Sequence, residues 1–175
     1  MQPDTIFALQ LFLSTVAFAV VARALVSPRL RALSKREALL WLTVPHVFRH
    51  VGMVFLVPGV VDRPLPPGFA LPAAYGDLLT GLLALAAFTA LHAGGRFHLG
   101  LVWLYNLVGV ADLARALPHT EVVSMFGSAW YIPTMLVPLL LVTHAMSFGR
   151  LLRAESEPAS ERSGCRPEVA AGAES

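Results

Sequence analysis

The sequence contains little charge. Only 14% of its 175 residues are Asp, Glu, Lys or Arg, whereas a soluble domain normally carries about 25%. Hydrophobic residues make up 56% of the chain, and they are gathered into several long apolar runs. This composition is typical of membrane proteins and argues against a soluble domain.

Cysteine and the common catalytic signatures are also scarce. The single cysteine, Cys165, excludes an intrachain disulfide. No basic patch interleaved with aromatic residues is present, so we expect no nucleic-acid partner. Ser124 and Ser128 lack the G-x-S-x-G context of a serine hydrolase, and no glycine-rich phosphate loop occurs. The sequence therefore leaves open whether the protein is an enzyme.

Five apolar runs predict five transmembrane helices, at residues 6–24, 37–61, 74–92, 99–117 and 128–148. A helix rises about 1.5 Å per residue, so runs of this length approach or exceed the hydrocarbon thickness of about 30 Å. The fifth helix has an alternative start as early as Val122. We therefore predict an all-α, polytopic membrane helix bundle that forms one domain over residues 1–153.

The basic residues predict the orientation of this bundle. Five of them lie at the end of the first apolar run or in the short connection that follows it, which Pro28 interrupts: Arg23, Arg29, Arg31, Lys35 and Arg36. Arg150 and Arg153 follow the fifth run. Positive charge beside helix ends marks the cytoplasmic side, although binding of anionic lipid head groups is an alternative role for the first cluster. We predict an external N-terminus and a cytoplasmic C-terminus.

Composition also bears on localisation and on the segments outside the helices. Abundant Ala, Leu, Arg, Gly and Pro suggest a bacterium, so we expect a multi-pass protein of the cytoplasmic (inner) membrane. Five prolines between residues 58 and 72 predict an external loop without regular structure over residues 62–72. Residues 154–175 are polar and lack apolar periodicity, which predicts a disordered cytoplasmic tail.

The second apolar run carries three ionisable residues near its middle: His46, Arg49 and His50. Positions i, i+3 and i+4 share one face of an α-helix. Ionisable groups at membrane depth cost about 2.5–3.5 kcal/mol each on insertion scales, so they normally face protein or water. Pro45 predicts a kink that helps to open a pocket beside them. We predict that the other helices pack around this face.

Polar residues of the later helices are the predicted partners. From the rise per residue, we expect Asn106 to meet Arg49 or His50, His46 to face His144, and Asp112 to be the buried carboxylate nearest Arg49. The candidates for a ligand or proton pocket are His46, Arg49, His50, Asn106 and Asp112, with Asp77, Tyr105 and His144 as secondary candidates. Asp77 is predicted in the first turn of the third helix, where the helix dipole favours a carboxylate.

Three functions remain open from the sequence. The first is a small membrane protein whose polar pocket binds or passes a small solute or protons, with no cofactor expected. The second is a membrane redox protein with a metal or haem held by His46, His50 and His144, although the histidine pair lacks the acidic residue of H-E-x-x-H. The third is a non-catalytic subunit of a larger complex, with a membrane protein partner. The lipid bilayer is a partner in all three.

Overall fold

The computed structural model of the protein describes residues 2–153, and within them all regular structure is helical. Five of these helices are long and apolar enough to cross a membrane: α1 (Pro3–Arg31), α2 (Lys35–Leu56), α3 (Pro67–Ala93), α4 (His98–Ala116) and α5 (Gly127–Leu151). The all-α class and the five helices are thus confirmed. Membrane insertion, the orientation and the single domain over residues 1–153 stay predictions, and the predicted disordered tail lies outside the described residues.

Contacts between helix termini define the two ends of the bundle. The Lys35 side chain donates hydrogen bonds to the carbonyls of Leu151 and Arg153. The start of α2 therefore lies beside the end of α5, and we call this the basic end. Trp130 Nε1 donates to Gln10 Oε1 at 2.6 Å. That bond joins the start of α5 to the first turns of α1 at the opposite end.

Helix α1 extends further than the sequence predicted. A π turn spans Ala22–Val26 and stands immediately before Ser27 and Pro28. Its wider winding accommodates the proline, which has no N–H and whose ring clashes with the carbonyl four residues earlier in an ordinary α-helix. The helix then continues to Arg31. The prediction that Pro28 lies in a connection was therefore wrong, and the connection is only residues 32–34.

Helix α3 begins earlier than predicted, at Pro67. A proline is favoured in the first turn, because the N–H that it lacks has no partner there in any residue. Pro72, further along, removes only one hydrogen bond of the helix. The prediction of an irregular loop was therefore wrong for residues 67–72. As a result Asp77 lies about three turns inside α3, and its predicted first-turn position was also wrong.

The core has apolar layers near both ends and a polar layer between them. Phe55, Phe69, Phe126 and their neighbours pack at the opposite end. Leu39 and Leu91 belong to a second apolar cluster nearer the basic end. The intervening layer is unusual for an apolar bundle, because its fully buried residues include an arginine, two histidines and an asparagine, which are Arg49, His46, His144 and Asn106. Buried polar groups of this kind need partners.

Candidate functional site: a buried arginine–carboxylate cluster

Helix α2 changes its winding inside the bundle. It is an α-helix over Lys35–Val47 and a 3₁₀-helix over Phe48–Leu56, so the change follows Pro45 by three residues. A 3₁₀-helix has about three residues per turn, and residues i and i+3 therefore share one face. Arg49, Gly52 and Phe55 follow this spacing, and all three are buried.

The same winding turns His50 out of the cluster. His50 is exposed, and its ring nitrogen Nδ1 lies 3.2 Å from the carbonyl oxygen of Val47. The prediction that His46, Arg49 and His50 share one face holds for an α-helix, but in a 3₁₀-helix a residue is turned about 120° from the one before it. The prediction that these side chains face the bundle interior was therefore correct for His46 and Arg49, which are buried. It was wrong for His50.

Arg49 joins three helices through its guanidinium. Nε donates to Asp77 Oδ1 of α3 at 2.7 Å, and Nη2 donates to Asp112 Oδ2 of α4 at 2.6 Å. Nη1 donates to the carbonyl oxygen of Gly109 at 3.2 Å. The predicted contact between Arg49 and Asp112 is therefore present. The contact with Asp77 was missed, although the pair Pro66–Pro67 was a signal for an earlier start of α3.

Each carboxylate of the cluster packs against a glycine of a neighbouring helix. A Cβ atom added to Gly52 of α2 would overlap Asp77 Oδ2, and one added to Gly76 of α3 would overlap Asp112 Oδ1. Any larger residue at these two positions would occupy the space that the carboxylates fill. The absence of a side chain is thus what lets each aspartate reach across to Arg49.

A third glycine supports the guanidinium itself. A Cβ atom on Gly109 would lie 2.7 Å from Arg49 Nη1 and 2.8 Å from the ring of His144. Both distances are shorter than ordinary contacts with carbon. Gly109 therefore allows the close approach of α4 that brings its carbonyl oxygen to Arg49.

The hydrogen bonds of His144 determine its tautomer. Asn106 Nδ2 donates to the carbonyl oxygen of Val102 at 2.7 Å, so its Oδ1 faces His144 Nδ1 at 2.8 Å and accepts from it. The other nitrogen, Nε2, then presents a lone pair to Arg49 Nη1, 3.4 Å away. His144 is therefore a neutral imidazole with its proton on Nδ1. The predicted direct contact of Asn106 with Arg49 or His50 was wrong, because His144 lies between Asn106 and Arg49.

Replacing Asn106 with leucine is expected to lower the free energy of unfolding by about 1–3 kcal/mol, since a buried donor on His144 loses its acceptor. Chemical unfolding in detergent micelles, followed by circular dichroism, measures the change. Gln10→Leu is the matched control, because it removes an amide whose bond to Trp130 is exposed. An equal loss in both variants would contradict the assigned network.

His46 faces His144, as predicted, with ring centroids 4.1 Å apart and ring planes inclined by 44°. Its Nε2 lies 3.0 Å from Thr143 Oγ1, whereas its Nδ1 has no hydrogen-bond partner among the described residues. Tyr105, a secondary candidate, bonds to Thr43 at 3.1 Å. These side chains extend the polar layer from Arg49 towards the basic end.

The predicted histidine ligand set does not come together. His50 lies outside the cluster, and three of the four ring nitrogens of His46 and His144 already face protein partners. The rings are also too close for a haem to stand between them. Across residues 2–153, no group of three or more His, Cys, Asp or Glu could hold a metal ion. The arrangement therefore does not fit a metal or haem bound by this set.

A cavity of about 70 Å³ lies between the cluster and the opposite end. Its wall is mainly apolar and aromatic, including Phe7, Phe55 and Phe69. Asp77 and Asp112 also line it, with 14% and 12% of their side-chain surface exposed, whereas Arg49 has none. When both carboxyl groups are ionised, their two negative charges exceed the one positive charge of Arg49. The cavity thus ends at a carboxylate pair whose negative charge Arg49 alone does not balance; the exposed Arg115 adds a weaker positive charge near Asp112.

Comparison with known proteins places the chain in a family without giving it an activity. No curated protein and no solved structure matches it. Residues 6–152 match a family described as a domain of unknown function, DUF8737. The matched range includes Arg49, Asp77, Asp112 and His144. Because the match covers most of the chain, the protein belongs to the DUF8737 family.

Proposed function

We propose that this DUF8737 protein binds a small solute within the membrane, at the cavity that ends on Asp77 and Asp112. The solute has an apolar body and a cationic or hydrogen-bond-donating end. The observation that carries the proposal is the position of two partly exposed carboxylates at the base of a mainly apolar cavity. Small-molecule sites commonly combine apolar walls with a few well-placed polar groups.

The protein in this proposal is a multi-pass protein of the bacterial cytoplasmic membrane, with its N-terminus outside. Five helices of sufficient length and hydropathy support membrane insertion. The proposed orientation rests on positive charge at the basic end, where Lys35 meets the end of α5, because cytoplasmic loops carry an excess of Lys and Arg. In this orientation the cavity lies in the external half.

The unbalanced charge supports a cationic end on the solute. Each carboxylate gives one oxygen to Arg49, and the described residues offer no hydrogen bond to the second oxygen of either Asp77 or Asp112. Electrostatic interactions strengthen as the effective dielectric constant falls. An ammonium group beside the exposed surfaces of the two carboxylates would balance the charge, and a proton on one carboxyl would balance it in the empty site. Binding would therefore exchange a proton for a cation.

Arg49 makes passage of protons along the whole polar layer less favourable than binding. Its guanidinium stands between the carboxylates and His144. A guanidinium does not release its proton in proteins, so it cannot relay one. We therefore favour a solute site over a continuous proton path. The accessory-subunit hypothesis stays a prediction.

A series of short alkylammonium ions, from methylammonium to butylammonium, tests the proposal by ligand-observed NMR on protein in nanodiscs. We expect affinity to rise by about 0.8 kcal/mol per methylene until the cavity is full, and butyrate to bind poorly. Asp112→Asn should weaken butylammonium binding at least tenfold, whereas Asp62→Asn, on the exposed loop, should not. Equal binding of butylammonium and butyrate, or no effect of Asp112→Asn, would refute the proposal.

A further inference from the structure

A second and larger cavity lies elsewhere in the bundle. It is a groove of about 640 Å³ between α1, α2 and α5, in the half of the molecule nearer the basic end. Its wall is almost entirely apolar and includes Phe18, Leu25, Trp41 and Val142, with Arg29 as its charged residue. The groove shares no residue with the cavity at Asp77 and Asp112.

A small cavity with a partly polar wall adjoins the groove at the basic end. This cavity has a volume of about 120 Å³ and contains Ser27, Arg150 and Arg153. Leu30, Leu42 and Met146 belong to both walls, so the two spaces are neighbours. The apolar groove thus lies next to a space that two arginine side chains line.

The positive charge at this point is concentrated. Arg31 and Arg153 both lie close enough to Arg150 to repel its charge. Among residues 2–153, no acidic side chain forms an ion pair with any of these three arginines. Like charges held together in this way favour an anionic partner, and arginine suits phosphate because its guanidinium can donate two parallel hydrogen bonds.

We propose that this composite site binds an anionic phospholipid, with an acyl chain in the groove and the head-group phosphate at Arg150 and Arg153. The order of the two spaces matches the order of the parts in a phospholipid, since the charged head lies at the helix ends and the chain extends along the bundle. Trp41 is 65% exposed at the groove, and tryptophan is enriched at the level where head groups meet the hydrocarbon.

The chemistry of the site favours a lipid over the chain's own C-terminal segment. Residues 154–175 follow Arg153 and include Glu155, Glu157 and Glu161, which could supply negative charge to the arginines. That segment has no apolar run, however, and could not fill an apolar groove of this size. Of these two occupants, only a lipid offers both an apolar chain and a negative charge.

Native mass spectrometry of the full-length protein with added lipid tests the proposal. We expect the wild type to bind one dioleoyl phosphatidylglycerol at least tenfold more tightly than dioleoyl phosphatidylcholine. The double variant Arg150→Gln/Arg153→Gln should lose this preference. Arg63→Gln/Arg96→Gln, which removes two exposed arginines elsewhere, should keep it. Val26→Trp places a bulky ring in the groove from an exposed position. It should weaken the binding of both lipids.

Four results would overturn the proposal. They are equal affinity of the wild type for the two lipids, an equal loss of preference in both arginine double variants, unchanged lipid binding in Val26→Trp, and displacement of phosphatidylglycerol by inorganic phosphate at a similar concentration. A fifth concerns the C-terminal segment. If Glu155→Gln/Glu157→Gln/Glu161→Gln raised the affinity for phosphatidylglycerol more than tenfold, the segment would be the ordinary occupant.

Discussion

Replacing Arg49 with leucine is expected to lower the free energy of unfolding by about 3–5 kcal/mol, because removal of one partner leaves buried charge without compensation. Two carboxylates, Asp77 and Asp112, lose their ion pair at once. Insertion should survive, since leucine makes α2 more apolar. The amount of protein in the membrane fraction measures insertion, and chemical unfolding in micelles measures stability.

Two further variants test whether the loss of stability comes from the uncompensated charge. Arg96→Leu removes an exposed arginine and should change stability little. Arg49→Leu/Asp77→Asn/Asp112→Asn removes the uncompensated charge and should recover much of the loss, because neutral groups of similar shape replace the ions. Under the proposed function this triple variant folds but does not bind butylammonium. The expected loss is about 3–5 kcal/mol. If the free energy of unfolding of Arg49→Leu lay within about 1 kcal/mol of the wild-type value, the ion pairs would not have the structural role described.

The parts of the fold that sequence predicted correctly follow from composition and α-helical periodicity. Long apolar runs gave the five helices, because only a helix satisfies every backbone group of an apolar segment internally. The inward direction of Arg49 followed from the high cost of an unpaired guanidinium in an apolar environment. Its contact with Asp112 followed from depth along two helices, which a constant rise per residue determines.

The parts that sequence missed depend on departures from regular α-helix. His50 was misplaced because the 3₁₀ winding after Pro45 changes which residues share a face. Asp77 was missed because prolines were taken as the end of regular structure, whereas Pro67 begins α3. A π turn likewise carries α1 past Pro28. In each case the backbone adapts to proline locally, and residue type alone does not reveal how.

Glycines contribute to the site in a way that periodicity also hides. Gly52, Gly76 and Gly109 are spread over three helices, so no sequence motif connects them. Each of them nonetheless leaves the space into which one charged side chain of the cluster fits. The cluster is therefore defined as much by the side chains that are absent as by Arg49 and its two carboxylates.

Replacing Gly109 with alanine is expected to lower the free energy of unfolding by about 1–3 kcal/mol, the usual effect of overpacking a close-packed core. The new methyl group would lie 2.7 Å from Arg49 Nη1, so either α4 or the guanidinium must move.

Gly100→Ala, in the same helix, is the matched control, because a Cβ there meets nothing within 4 Å. It should stabilise α4 by up to about 1 kcal/mol, since alanine is the better helix former. Opposite signs for the two variants, in unfolding experiments under identical conditions, would support the geometry of the cluster. A gain of stability in Gly109→Ala would mean that α4 does not approach Arg49 as closely as described, and the ion pairs with Asp77 and Asp112 would then need another explanation for their burial.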